Sequence, residues 1–201
     1  TMLLAGEDTT ANTIAWMIDL LWRHPAALKR ATDEVRGLLG DTRCPSFDQL
    51  AQLDYVEACA HETMRLKPVA PILALQAERD TRVGDVQVPT GTVVINLMRV
   101  DSVSDAHLSS ASAFEPERWL AEGPAAAVAG NAKRISMPFG AGPRMCPGRY
   151  LALLEMKMAM AQLLNCFDIT SVETPDGQPA REHLAFTMTP VGLRMRLRAR
   201  G

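Results

Sequence analysis

Between residues 139 and 148 the chain reads Phe-Gly-Ala-Gly-Pro-Arg-Met-Cys-Pro-Gly, and no other stretch narrows its possible folds so far. Loosened by Gly140, Gly142 and Gly148, the segment reads as a loop that delivers Cys146 to the start of a helix, with the cation Arg144 just before it. A helix N-terminus presents unpaired N–H groups and a positive dipole end, both of which favour a thiolate over a thiol. Pro147 is expected at the first helical position, where the missing N–H costs no hydrogen bond. The glycines let backbone approach a large flat ligand with no Cβ in the way. Arg144 offers a rigid fork of donors suited to a carboxylate. The plainer alternative is a tight loop ahead of a helix, holding a free buried cysteine.

Composition leaves room for such a site in an ordinary globular chain. The 201 residues are 47% hydrophobic and 22% charged, with a net charge of −2, which is enough to bury a core and argues against nucleic acid as a partner. Aromatics make up only 5% while there are 11 methionines, so much of the packing falls to flexible thioethers. No apolar run is long enough to span a membrane, and the first residues do not read as a secretory signal. Cys44, Cys59, Cys146 and Cys166 show no C-x-x-C spacing and read as reduced thiols in a cytosolic setting. Thr1-Met-Leu-Leu-Ala5-Gly6 runs straight into helical apolar spacing, as though the chain began inside a longer helix.

The spacing predicts a helix from the start to His24-Pro25, and a second over 26–39 ended by Gly40. Ser46-Phe-Asp-Gln49 reads as a capping box before a short helix, and another helix covers 54–66. Residues 73–77, 81–88 and 92–97 are β-rich, with turns at Gly84-Asp85 and Pro89-Thr-Gly91. Residues 100–138 look irregular, with an Ala/Gly-rich flexible patch at 121–132. A long helix follows Cys146, with Leu151, Leu154, Met158, Ala161 and Leu164 at apolar spacing. The end alternates with period two, which makes Arg194, Arg196, Arg198 and Arg200 the solvated face of a last hairpin strand. No internal repeat or domain boundary is visible. His24, His61, His107 and His183 lack metal-ligand spacing and read as surface or helix-end residues.

Three further motifs precede the cysteine loop. Glu62-Thr-Met-Arg65 sets opposite charges at i and i+3 of one helix, where an exposed pair is worth only about half a kcal/mol. Phe114-Glu-Pro-Glu-Arg118-Trp119 supplies a second arginine downstream. Ala5-Gly6-Glu7-Asp8-Thr9-Thr10 puts poor helix formers inside a helix. There Thr9 would ordinarily bond back to the Ala5 carbonyl, unless the helix opens at Ala5-Gly6 and frees its hydroxyl.

In this order the motifs resemble those of the haem-thiolate monooxygenases, the cytochrome P-450 family, and all 201 residues are similar to the C-terminal part of that family. Six fixed loop positions at about one in twenty each put a chance match anywhere in a chain of this length on the order of one in a million, which outweighs the free-cysteine alternative. The resemblance implies a mainly α fold with small β-sheets: an oxygen-binding helix, the E-x-x-R helix, a meander, the cysteine-ligand loop and its following helix, and a terminal β-hairpin. It implies that 1–201 is part of one domain whose N-terminal part is absent, so that the isolated chain would be inactive.

The implied cofactor is haem b (iron protoporphyrin IX), with Cys146 as the proximal iron ligand that favours O–O cleavage. Arg144 would bind a propionate and Phe139 would shield the sulfur, while Gly140, Gly148, Ala5 and Gly6 would lie against the cofactor. Asp8 and Thr9 map onto the family's acid–alcohol pair, which delivers protons during O₂ activation. Glu62, Arg65 and Arg118 map onto a structural Glu–Arg–Arg cluster. Met2, Val69, Ala70, Ile72, Leu73 and Thr187 are the implied substrate-pocket residues, within a wider contact region at 184–189. Many relatives carry a propionate-binding Arg where Leu75 stands here, which shifts that task to Arg144, with Arg99 a further candidate. The activity implied is insertion of one oxygen atom into a hydrophobic small molecule. The electrons would come from NAD(P)H through a ferredoxin or flavin reductase. The implied protein is a soluble cytoplasmic one of bacterial type, any membrane anchor lying before Thr1. The alternatives are a haem-thiolate peroxygenase or isomerase, against which the presence of both Asp8 and Thr9 counts, and a non-enzymatic haem-binding gas sensor.

Overall fold

Helix α1 (Met2–Arg23) ends where His24 turns its Nδ1 to the Leu20 carbonyl and Pro25 removes the next N–H. That proline opens α2 (Pro25–Leu39), and Gly40, at φ +53°, closes it by donating its N–H to the Arg36 carbonyl. A reciprocal capping box starts α3 (Phe47–Ala51): Gln49 N–H donates to Ser46 Oγ, and Ser46 N–H donates to Gln49 Oε1. At the head of α4 (Asp54–Leu66) the Glu34 carboxylate accepts from the Tyr55 and Val56 N–H groups at 2.7 and 2.9 Å, satisfying two orphan donors. The structure, a computed structural model, describes residues 2–120 and 131–200, and side chains from Ala5 onward.

Among the described residues, eight strands form four antiparallel pairs. Strand β1 (Ile72–Gln76) pairs with β4 (Val93–Leu97), and β2 (Thr81–Val83) pairs with β3 (Val86–Val88) across Gly84 at φ +60°. The hairpin of β6 (Arg181–Leu184) and β7 (Met188–Val191) sits inside a wider pair, β5 (Phe167–Glu173) with β8 (Arg194–Ala199). The terminal hairpin is present as β6–β7, but the last strand pairs with β5 and not with β7, which corrects the expectation that residues 194–200 form its last strand. Cross-strand charge pairs join the β5–β8 pair, Arg196 to Glu173 at 3.1 Å and Arg198 to Asp168 at 3.0 Å. All of β8 is exposed, Met195 and Leu197 included, so its alternation does not separate a wet face from a dry one.

The stretch expected to be irregular contains α5 (Met98–Ser102), a 3-10 turn at Pro116–Trp119, and a helical segment over 131–136, α6. Most of the expected flexible patch lies outside the described residues. Its end does not fit the expectation: Asn131 and Ala132 are helical, and Ala132 is buried with Ala58, Leu108, Ala111 and Trp119. Helix α7 (Arg149–Cys166) buries Met156, Met160, Ala161 and Leu164 against the core built by α1, α2 and α4. Leu151 and Met158 are exposed, contrary to the expected apolar face, because apolar residues surround this helix and periodicity could not select the packed side. Among the described residues no helix is long and apolar enough to cross a membrane.

Candidate functional site

The loop at 139–148 is closed by its own backbone. Cys146 N–H donates to the Phe139 carbonyl at 2.9 Å, Gly140 N–H to Met137 at 2.8 Å, and Met145 N–H to Gly142 at 3.1 Å. Gly140 and Gly142 have φ of +71° and +68°, where a side chain is strained, and a Cβ on either would project into open space. Met137, at φ +37°, marks a further backbone departure at the entrance to the loop. Gly148 caps α7 at φ −86°, which any residue adopts; a Cβ there would lie 3.9 Å from Cys146 Sγ. Pro147 thus precedes the cap instead of occupying the first helical position, and the first helical residue is Arg149, so Cys146 stands further from the helix end than its sequence suggested.

The Cys146 thiol is exposed, unlike a structural core cysteine; that description fits Cys59, whose burial pushes its thiol pKa up. All four cysteines are free. Phe139 is half-buried at the edge of the main core, and Arg144 is exposed, with no ion pair to a described residue.

Behind the loop, α4 and the 3-10 turn bring three charges together. Glu62 Oε1 accepts from Arg65 Nη2 at 2.7 Å, Arg118 Nε at 2.9 Å and the Glu115 N–H at 2.9 Å. Oε2 accepts from Arg65 Nε and Trp119 Nε1, both at 2.8 Å. Arg65 also donates to the carbonyls of Ser102, Ala111 and Ala113, tying α5 and the following meander to α4. Burial pushes the Glu62 carboxyl pKa up, but the Arg65 bonds and charge, with the Glu115 and Trp119 N–H donors, outweigh it and hold it below the ordinary value. Next to this cluster His61 stacks on Trp119 with ring centroids 5.0 Å apart, and its Nδ1 has no hydrogen-bond partner among the described residues.

On α1 the helix does not open. Thr9 Oγ1 donates to the Ala5 carbonyl at 2.8 Å, so its hydroxyl is engaged, while Asp8 is exposed. Ala5 is exposed, and a Cβ on Gly6 would meet nothing within 4 Å. Val69 and Leu73 are half-buried, and Ala70 and Ile72 exposed; the Met2 side chain lies outside the described residues. Thr187 is buried at 4% exposure, and its Oγ1 accepts from Asn12 Nδ2 at 2.8 Å, so it is not presented to an open pocket. The large apolar side chains exposed at the tip of that hairpin are Leu184 and Phe186, at 48% and 73% exposure. Arg99 donates to Glu182 Oε2 at 2.6 Å, beside Lys67 on the same carboxylate, so it is committed to a protein partner. Asn12 and Glu182 carry no motif in the sequence; an Asn set within the apolar helical spacing of α1 is the one available signal. Among the described residues no cluster of three or more His, Cys, Asp or Glu side chains could hold a metal ion.

The family model described as Cytochrome P450 matches residues 1–197. The chain belongs to the cytochrome P450 family. This P450 chain is 36% identical to human mitochondrial 25-hydroxyvitamin D-1 alpha hydroxylase over 191 residues, which are 94% of the chain and 36% of that protein. It is 34% identical over 173 residues to methyltetrahydroprotoberberine 14-monooxygenase of Papaver somniferum, covering 86% of the chain and 33% of that protein. A crystal structure of a cytochrome P450 (CYP102L1) superposes with a TM-score of 0.86 at 31% identity, over all of this chain and 45% of the other. The chain thus spans about a third of the curated relatives it matches. The P450 loop also suits a flat ligand above Cys146 in its own geometry, having an exposed sulfur, two glycines with open space where Cβ atoms would stand, and the exposed cation Arg144 on the same short loop.

Proposed function

We propose that this chain is part of a haem-thiolate monooxygenase domain in which Cys146 ligates the iron and a hydrophobic organic molecule receives one oxygen atom. The exposed Cys146 thiol on a glycine-hinged loop carries this reading. Haem, when bound, would supply the redox iron at which O₂ is reduced. Cys146 has its own N–H spent on the Phe139 carbonyl, which fixes the residue's backbone and leaves the sulfur for the metal. Phe139, at the edge of the core, would shield that sulfur. Arg144 would bind a propionate, since Leu75 cannot and Arg99 is held by Glu182.

The acid–alcohol pair handles protons. Asp8 stands in water and takes protons from solvent. The Thr9 hydroxyl rests on the Ala5 carbonyl and must leave it to donate elsewhere, so a local change of α1 accompanies proton delivery. General acid assistance of this kind contributes about 10²–10⁴-fold. Electrons come from NAD(P)H through a ferredoxin or flavin reductase, in a cytoplasmic setting, and the rest of the domain comes from sequence outside this chain. The Glu62, Arg65 and Arg118 cluster is structural.

The test is the reduced, carbon monoxide-bound spectrum of the full-length protein. A strongly red-shifted Soret band is expected, and Cys146→Ser should abolish it. A band that survives Cys146→Ser refutes the ligand assignment.

A further inference from the structure

The β6–β7 hairpin is fastened to α1 at two adjacent residues. Asn12 Nδ2 donates to Thr187 Oγ1 at 2.8 Å, and Trp16 Nε1, one helical turn on, donates to the Met188 carbonyl at 3.0 Å. From the other side the Met188 N–H donates to the Val69 carbonyl at 2.8 Å. The base of the hairpin is gripped through Glu182, which takes both Lys67 and Arg99. Lys67 in turn lies 4.7 Å over the Trp16 ring. The tip is therefore a rigid mount for two large apolar side chains left in the open, Leu184 and Phe186.

Asn12 is the unusual member of this set. An Asn inside a helix is a poor helix former, so its presence weakens α1 unless a long-range bond offsets the cost. Ala5, Thr9, Asn12 and Trp16 follow one another at offsets of four, three and four residues, a single stripe along α1. That stripe carries Thr9 at one turn and the hairpin tie at the next.

We propose that Asn12 is a positioning residue, whose bond to Thr187 sets where Phe186 and Leu184 stand relative to Thr9 and so determines which part of a bound apolar molecule is presented for oxidation. This rests on the monooxygenase reading above. Asn12 is assigned the placement of the molecule, while proton delivery stays with Thr9 and Asp8.

The test uses the full-length protein carrying Asn12→Ala, Thr187→Val, both together, and Thr187→Ser. Hydrogen exchange over residues 184–190 reads the tie directly and needs no haem. Each single variant should speed exchange at Met188 by roughly fivefold, the effect of losing one side-chain hydrogen bond. The double variant should add nothing further, because both singles break the same bond. Thr187→Ser, which keeps the hydroxyl, should restore slow exchange. Spectral titrations with imidazole and 1-benzylimidazole then read placement. The first has no tail to reach the hairpin and should bind Asn12→Ala as it binds the parent, while affinity for the second should change by about threefold or more. Unchanged exchange, additive single effects, or equal changes with both imidazoles overturn the proposal. If the parent shows no spectral response to imidazole, the haem reading fails, and exchange alone still decides whether the tie exists.

Discussion

Replacing Glu62 by Gln tests the buried cluster with almost no change in shape. Five donors converge on that carboxylate, three on Oε1 and two on Oε2, more than the roughly four lone-pair sites it offers. A glutamine amide does least harm with its oxygen at the Oε1 position, where three bonds survive. Its NH₂ then faces Arg65 Nε and Trp119 Nε1, donor against donor. Two buried donors are stranded at about 1–3 kcal/mol each. Two guanidiniums, with side chains 0% and 3% exposed, also lose their shared counter-charge. The sum falls near the 3–5 kcal/mol typical of breaking a buried ion pair, so about 4 kcal/mol is expected. That is a large share of the roughly 5–15 kcal/mol by which a domain is stable. Urea unfolding of full-length Glu62→Gln, followed by far-ultraviolet circular dichroism, should show a lower midpoint with an unchanged slope. Lys29→Ala provides the contrast: its pair with Asp33 is exposed on both sides and should contribute under about 0.5 kcal/mol. A loss below about 1 kcal/mol for Glu62→Gln would show that the convergence of donors contributes little to stability.

Glu57 faces His61 Nε2 at 3.7 Å, an ion-pair distance too long for a good hydrogen bond, and Lys157 Nζ at 2.7 Å; the two hold its carboxyl pKa at about 2 in place of 4.5. A lowered acid pKa stabilises above the unfolded value and loses that effect as pH falls toward the folded one, so Lys157→Met should flatten the stability loss between pH 4.5 and 2, measured by urea midpoints across that window. In haem-free protein, a thiol reagent should label Cys44 and Cys146 first and Cys59 only on unfolding, with haem then protecting Cys146 alone; mass-spectrometric mapping of the labelled peptides checks both points.

Helix boundaries were legible because their causes are local. Pro25, Gly40 and the Ser46–Gln49 box each act within one turn, and each sits where the pattern put it. Strand pairing was not. Strand β5 is not marked in the sequence although Ile169, Thr170 and Val172 are β-formers, because it follows α7 with no turn signal between them. Without β5, the alternation at 194–199 had no partner except the preceding strand, and Gly192, at φ +73°, looked like a hairpin turn. Helix α7 failed in another way: a helix with apolar residues on every side carries no directional information, so only packing against α2 and α4 selects Met156 and Met160 over Leu151 and Met158.

The site residues divide along the same line. Glu62 and Arg65 announce their pairing by spacing, but Arg118 reaches them only because the meander folds back across α4; it was placed with them by resemblance, not by any local rule. Thr9 and Thr187 are chemically the same side chain, and the family resemblance marks both as site residues. In the structure each hydroxyl already has a partner, one four residues back along its own helix and the other on a different element. A short motif states which polar group is present, whereas the partner that holds it depends on burial and on chain far away in sequence. Thr9 has a partner that a change in α1 could release, which suits a group that must donate elsewhere. Thr187 is buried, and its partner Asn12 is half-buried on the packed stripe of α1. Such a bond is costly to break because it would strand two polar groups. On the reading proposed above, the same residue type would serve a moving role on α1 and a fixed one on the hairpin, and burial makes the difference.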